Sequence, residues 1–238
     1  MTTLLYRDDA YLQSTPATVL GINERGGIVL DQTVFYATAG GQPGDKGRIV
    51  WDGGAADIAT TVYDEHKNVV HVPAEAQPLP PVGEPVQAIL DWDNRHRNMR
   101  AHTLMHLLCA SVPFPVTGGA INEDGGRIDF DIPEGGIPDK TELAARINRL
   151  IAEDHPVSFR WITDEEMEQN QHLIRTMSVK PPMGTGKIRL VMIGEAGQID
   201  LQPCGGTHLK STAAIGPIAV AKIENKGKIN RRIRVVFA

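Results

Sequence analysis

The run Asp93-Asn-Arg-His-Arg-Asn-Met-Arg100-Ala-His102-Thr-Leu-Met-His106-Leu-Leu-Cys109-Ala-Ser-Val112-Pro113 divides the chain into two kinds of sequence. Its apolar residues Ala101, Leu104, Met105, Leu108 and Val112 recur at i, i+3, i+4, i+7 and i+11, which predicts one buried helical stripe that Asp93 can cap and Pro113 ends. Upstream, to about Asp91, no helical pattern occurs. Short β-branched runs punctuated by Gly and Pro take its place: Thr18 to Ile22, Ile28 to Tyr36, Arg48 to Trp51, Ile58 to Tyr63, Val69 to Val72 and Val86 to Trp92. Strands at this spacing predict a small barrel or sandwich. The segment Pro78-Leu-Pro-Pro-Val-Gly-Glu-Pro85 excludes both helix and central strand, because proline lacks the amide donor. A domain boundary is expected near Trp92, giving residues 1–91 and 92–238.

Downstream, Asp139 with Glu142 reads as a helix start whose buried face is Leu143, Ile147, Leu150 and Ile151. Thr163 with Glu166 opens a third helix ahead of the turn-rich Lys180–Lys187. Strands follow over Ile188 to Ile193, Ile199 to Leu201, Ile218 to Glu224 and Arg231 to Phe237, the last two a hairpin across Asn225 to Asn230. Helices that precede and interrupt strands predict an α+β fold rather than a βαβ alternation.

A chain of 238 residues with 41% hydrophobic content can build real cores, and Gly 24 with Pro 16 stays below the composition of a low-complexity chain. Two cysteines, Cys109 and Cys204, make no disulfide framework, and the start MTTLLYRDDA lacks a secretory signal, so a reducing cytoplasm is the expected location. The longest run without a charged residue, Ala101 to Asn122, contains His102, His106, Pro113, Pro115, Gly118 and Gly119, which no membrane span would carry. Net charge is −5, yet Gln202 to Ala238 holds seven Lys/Arg against one Glu. That basic ribbon, with Lys210, Arg231 and Arg232, suits phosphate or is a solvated strand pair. Arg95, His96, Arg97 and Arg100 likewise suit a polyanionic substrate or form a solvated helix face.

His102 and His106 lie about 40° apart on their helix, so both imidazoles can reach one point. Thr103 stands where a metalloprotease helix has its general-base Glu, which excludes that chemistry. Pro203-Cys-Gly-Gly-Thr-His208 puts Cys204 and His208 on a loop that two glycines allow to curl. Together the pairs make a Cys-His₃ donor set suited to one zinc per chain. Cys109, one turn past His106, is the competing thiol or an ordinary buried one. Gly184-Thr-Gly186-Lys187 lacks the Ser/Thr and the spacing of a P-loop, so no nucleotide cofactor is expected. Gly40-Gly-Gln-Pro-Gly-Asp-Lys-Gly47 reads as a tight hairpin in preference to a phosphate cradle.

Ala39-Gly-Gly-Gln-Pro-Gly-Asp-Lys-Gly47, the His102-x-x-x-His106 helix, Thr117-Gly-Gly-Ala-Ile ahead of Gly126-Arg-Ile-Asp-Phe130, and Cys204-Gly-Gly-Thr-His208 occur in the order found in alanyl-tRNA editing proteins of the AlaX type. The sequence resembles that family, and the editing domain of alanyl-tRNA synthetase, over nearly its whole length. It departs at Ala39, where many members carry a third glycine. The resemblance implies a small N-terminal Gly-rich β-barrel followed by an α/β-sandwich editing domain with a zinc site. It implies hydrolysis in trans of the ester joining a wrong amino acid to tRNA(Ala), chiefly serine, with glycine as a further substrate. His102, His106, Cys204 and His208 would be the zinc ligands, and Thr117 would read the serine hydroxyl. A site built to bond a hydroxyl can reject the analogue lacking it by as much as ~10⁴–10⁵. Arg97, Arg100, Lys210, Arg231 and Arg232 are the expected tRNA contacts.

Four protein ligands close a tetrahedron in the manner of a structural zinc, whereas hydrolytic zinc keeps a position for water. A loose ligand, an expanded shell, or a zinc that orients substrate while backbone donors at Gly205, Gly206 and Thr207 assist water are all open to these residues. Two competing readings are editing of another mischarged tRNA, such as Ser-tRNA(Thr), and a non-catalytic RNA-binding module stapled by zinc.

Overall fold

Alternation of small and β-branched residues closes the first part of the chain into a barrel. The structure, a computed structural model, describes residues 2–133, 136, 138–176 and 186–238. It forms two compact units, Met1–Asn98 and Met99–Ala238. The strands of the first are β1 (Thr3–Leu4), β2 (Ser14–Ile22), β3 (Ile28–Leu30), β4 (Gln32–Thr33), β5 (Gly47–Trp51), β6 (Gly54–Tyr63), β7 (Val69–Pro73) and β8 (Pro85–Leu90). Six of them close in the order β2-β3-β7-β6-β5-β8, every pair antiparallel, while β1 and β4 pair in parallel beside it. Ala17, Val19, Ile28, Leu30, Ile49, Ile58, Val86, Ala88 and Leu90 fill the interior. Register shifts at Val19/Gly21 and Ile58/Thr60 bend the two long strands enough for closure.

The glycine-rich segment is a tight turn on this barrel, as expected. Ala39 and Gln42 exchange both backbone hydrogen bonds (3.2 and 2.9 Å) around Gly40 and Gly41, which hold φ of +55° and +84°. Ala39 lies outside that left-handed pair, so the family's third glycine is not needed for the turn. Gly44 is required for another reason: a Cβ there would lie 1.9 Å from the Thr61 carbonyl oxygen. Asp45 then turns inward, accepts the Tyr36 amide at 2.6 Å and pairs with the guanidinium of Arg95, both side chains fully buried. Arg95 also donates to the carbonyls of Ala10 and Val34. It is therefore removed from the positive helix face that the sequence grouped with His96, Arg97 and Arg100.

Helix α1 (Trp92–Ser111) carries the boundary between the units. Its cap is Asp91, whose side chain accepts the Asn94 amide at 3.0 Å; Asp93, the expected cap, sits in the first turn. The stripe Ala101, Leu104, Met105, Leu108 and Val112 is buried, and so are Met99, Leu107 and Cys109. No helix of the described residues is long and apolar enough to cross a membrane.

The second unit continues with β9 (Val116–Asn122), β10 (Gly125–Asp131), α2 (Lys140–Ala152), β11 (Val157–Ile162), α3 (Asp164–Gln169), β12 (Ile188–Ile193), β13 (Asp200–Pro203), β14 (Ile218–Asn225) and β15 (Asn230–Phe237). An antiparallel sheet orders β14-β15-β10-β9, and a second orders β11-β12-β13. The fold is α+β, and β14 and β15 form the expected hairpin. Asp139 caps α2 by accepting the amides of Thr141 and Glu142, and Thr163 with Glu166 forms a complete capping box on α3. Leu143, Ile147 and Ile151 are the buried face of α2, with Leu150 half-buried. Asn148 of α2 bonds both the amide and the carbonyl of Ile218, covering the start of the edge strand β14. β9, β10 and β11 are strands that the sequence pattern did not announce. Of the turn-rich Lys180–Lys187, positions 180–185 lie outside the described residues.

Candidate metal centre

Helix spacing and a strand exit bring four donors together. His102 and His106 project from one face of α1, and Cys204 and His208 from the loop that follows β13. One ligand atom from each lies within 4.8 Å of all the others. Cys204 Sγ is 3.5 Å from His102 Nε2 and 3.3 Å from His208 Nε2. Zinc bonds of ~2.0–2.1 Å to nitrogen and ~2.3 Å to sulfur at tetrahedral angles give an S···N separation of about 3.6 Å, close to that spacing.

The far sides of two rings fix which nitrogen is offered. His106 Nδ1 lies 2.7 Å from a carboxylate oxygen of Asp200, which can only accept, so the ring carries its proton there and directs Nε2 at the cluster. Gln202 Nε2 donates to the same oxygen at 2.8 Å and fixes the carboxylate in turn. Thr103 donates its hydroxyl to the Met99 carbonyl, so at 3.3 Å it accepts from His208 Nδ1 and leaves Nε2 of that ring inward. The same hydroxyl accepts the Leu209 amide at 3.1 Å, tying the loop to the helix. Asp200, Gln202 and Thr103 are site residues that motif spacing missed.

The protonation chemistry agrees with a cation site. Burial opposes the Cys204 thiolate, but the charges and hydrogen bonds of His102 and His208 outweigh it and hold the thiol well below its ordinary range. Burial likewise opposes charge on His106, and hydrogen bonds to Asp200 and Cys204 overcome it, lifting the imidazole to about 10. His208 is pushed well below its ordinary value by burial and by the neighbouring His102. A cation on these donors would take the place of the proton that thiolate and imidazole otherwise share. Cys109 is not part of the cluster: it is buried, and burial pushes its thiol up to about 12.

The expected loop glycines act differently from their sequence reading. Neither Gly205 nor Gly206 has a positive φ, so the curl needs no left-handed residue. Gly205 is exposed and a Cβ on it would meet nothing within 4 Å; Gly206 donates its amide to Cys204 Sγ at 3.4 Å. Thr207 is fully buried. Thr117, on β9, donates its hydroxyl to the Asp129 carbonyl at 3.2 Å and accepts from the side-chain Nδ2 of Asn230 at 2.7 Å. The basic residues differ in their surroundings. Arg97 and Lys210 are exposed. Arg100 holds the Ile215 carbonyl and lies 4.1 Å from the Phe237 ring centre. Arg231 is buried and donates to Asn225 and to carbonyls of the hairpin turn, while Arg232 makes two 2.7 Å bonds to Asp129. Both were expected as surface charge; instead Arg231 holds the hairpin turn, and Arg232 ties β15 to Asp129 of the neighbouring strand β10.

Residues 188–234 match the family described as threonyl and alanyl tRNA synthetase second additional domain, and residues 11–94 match tRNA synthetases class II (A). The chain is similar to alanyl-tRNA editing protein AlaX-M of Methanosarcina acetivorans, 32% identical over 242 residues and 98% of each chain. It is similar to AlaX-M of Pyrococcus horikoshii, 31% identical over 242 residues, 99% of this chain and 97% of the other. Alanine–tRNA ligase of Pyrobaculum arsenaticum is 37% identical over 230 residues, which are 92% of this chain and 25% of the ligase.

Proposed function

Because this chain belongs to the family of AlaX-M alanyl-tRNA editing proteins, we propose that it deacylates mischarged tRNA(Ala), chiefly Ser-tRNA(Ala), with Gly-tRNA(Ala) as a further substrate. The observation that carries the reading is the convergence of His102, His106, Cys204 and His208, with two of the rings locked by Asp200 and Thr103 to face one point. The donor set of three imidazoles and a thiolate fits zinc, one per chain. A zinc ion held there supplies a positive charge that polarises the ester or orients the aminoacyl group.

The protein's own groups do the rest. Asp200 keeps the His106 proton on Nδ1, and Thr103 does the same for His208, so neither ring needs to turn when substrate arrives. Thr117 reads the serine hydroxyl, and the Gly205 to Thr207 segment, whose Gly206 amide is held by Cys204 Sγ, provides a backbone donor beside the scissile ester. Within the proposed division, residues 1–91 are the Gly-rich barrel domain and 92–238 the deacylase domain. Of the proposed tRNA contacts, Arg97 and Lys210 are the exposed ones, while Arg100, Arg231 and Arg232 donate to protein acceptors. A cytoplasmic location follows from the substrate.

Deacylation rates on Ser-tRNA(Ala), Gly-tRNA(Ala), Ala-tRNA(Ala) and Ser-tRNA(Thr) test the reading. Serine and glycine should leave tRNA(Ala) far faster than alanine does, and Ser-tRNA(Thr) should survive. Preferential loss of Ser-tRNA(Thr) would transfer the activity to another tRNA, and no hydrolysis of any of the four would leave an RNA-binding module.

A further inference from the structure

One side chain outside the cluster holds the cysteine loop from behind. Arg189, on β12 and only 8% exposed, donates Nη1 to the carbonyl of Cys204 at 3.1 Å and to that of Gly206 at 2.9 Å. Its own carbonyl accepts the Cys204 amide at 3.0 Å, and its guanidinium lies 4.4 Å from the Phe159 ring centre, which fixes its plane. The chain has no cis peptide among its described residues, and in a trans unit C=O and N–H point in opposite directions. With the Cys204 and Gly206 oxygens on Arg189, the amides of Gly205 and Thr207 are therefore directed to the far side of the loop. Between them, the Gly206 amide is taken up by the Cys204 sulfur.

The Gly205 amide has no acceptor among the described residues, its residue is exposed, and a Cβ there would meet no atom within 4 Å. A backbone donor without such a protein acceptor, on an exposed residue next to the Cys204 thiolate, suits an oxygen that gains negative charge. We propose that Arg189 is a positioning residue for editing, fixing two loop carbonyls so that the Gly205 amide is presented to the oxyanion of the aminoacyl ester. This rests on the deacylase reading. Water oxygen adds to the ester carbonyl carbon, and the carbonyl π pair moves onto oxygen, where the amide meets it. Collapse then expels the ribose oxygen, which takes up the proton that the attacking water gives up, and frees the amino acid. Arg189 touches neither substrate nor proton in this sequence; it sets the direction of one donor.

The test measures kcat and KM for Ser-tRNA(Ala) with Arg189→Gln and Arg189→Lys, alongside the thermal midpoint and the cobalt(II) absorption spectrum of each protein. Loss of a whole oxyanion donor costs ~10²–10³ in rate, so a mis-aimed one should lower kcat in Arg189→Gln by about 10–100-fold. KM should stay within about twofold, the sulfur-to-cobalt band should be unchanged, and Arg189→Lys should recover part of the rate by reaching one carbonyl. A wild-type kcat in Arg189→Gln overturns the proposal. So does a rate loss that travels with a shifted cobalt band, because Arg189 then supports the donors and not the amide. If the unaltered protein hydrolyses neither Ser- nor Gly-tRNA(Ala), the deacylase reading itself fails, an outcome read before any variant is made.

Discussion

The barrel and the second unit each bury a histidine, and the two are used in opposite ways. In the barrel, His71 donates Nδ1–H to the Ile28 carbonyl at 3.0 Å and accepts the Thr33 hydroxyl on Nε2 at 2.8 Å. Both nitrogens have partners, and burial lowers the imidazole to about 4, so the ring is a neutral core group. In the second unit, Asp200 takes only the outer nitrogen of His106, and the inner one faces His102, Cys204 and His208. Burial is the same and composition says nothing. What separates a packing histidine from a ligand is whether the second nitrogen has a partner of its own or shares a point with other donors.

The largest effect should come from breaking the shared point. Cys204→Ala should lower hydrolysis of Ser-tRNA(Ala) by at least about 10³-fold and reduce metal per chain, while Cys109→Ala should do neither, as measured by elemental analysis and deacylation. Metal loss in Cys109→Ala with retention in Cys204→Ala would assign the wrong thiol. Next comes the satisfied histidine. The unfolded chain takes a proton on His71 below about pH 6.5, whereas the folded barrel refuses it down to about pH 4. Between those values the unfolded state binds more protons, so stability falls as pH drops through the window and levels off below it, a loss of about 3 kcal/mol. Denaturant unfolding at several pH values should show that component in the wild type and lack it in His71→Gln.

Asp200→Asn sharpens the comparison by weakening the outer partner alone. Metal affinity, read by chelator competition, should fall by about 10–100-fold with the fold intact. The smallest effect is expected at Thr117, where Thr117→Val should reduce the ratio of kcat/KM for Ser- over Ala-tRNA(Ala) by roughly three- to tenfold. A constant ratio with both rates lowered would mean that the hydroxyl serves only its bonds to Asp129 and Asn230.

The barrel and the four donors were legible because each rests on a local pattern, β-branched runs between turn residues in one case and i, i+4 spacing in the other. Helices α2 and α3 were legible from their caps: Asp139 accepts two amides at the start of α2, and Thr163 with Glu166 forms the reciprocal box on α3. β9 and β10 were hidden because Gly118, Gly119, Gly125 and Gly126 read as breakers. Gly126 is there for packing: a Cβ on it would lie 2.9 Å from Met105 Sδ of α1. Asp200 and Gln202 were hidden in a different way, as ordinary strand polar residues. They precede Cys204 at i−4 and i−2, the strand period that puts alternate residues on one face, and that alternation is the signal pointing from the ligand to its supports. The burial of Arg95 against Asp45, 50 residues away, had no local signature.

Metal stoichiometry measured with Ser-tRNA(Ala) deacylation, before and after chelation and after zinc is restored, tests the cluster as the seat of editing most directly. The account predicts one ion per chain, loss of hydrolysis when it is stripped, and recovery when zinc returns. Chelated protein that contains no metal and still deacylates Ser-tRNA(Ala) at the original rate would contradict it.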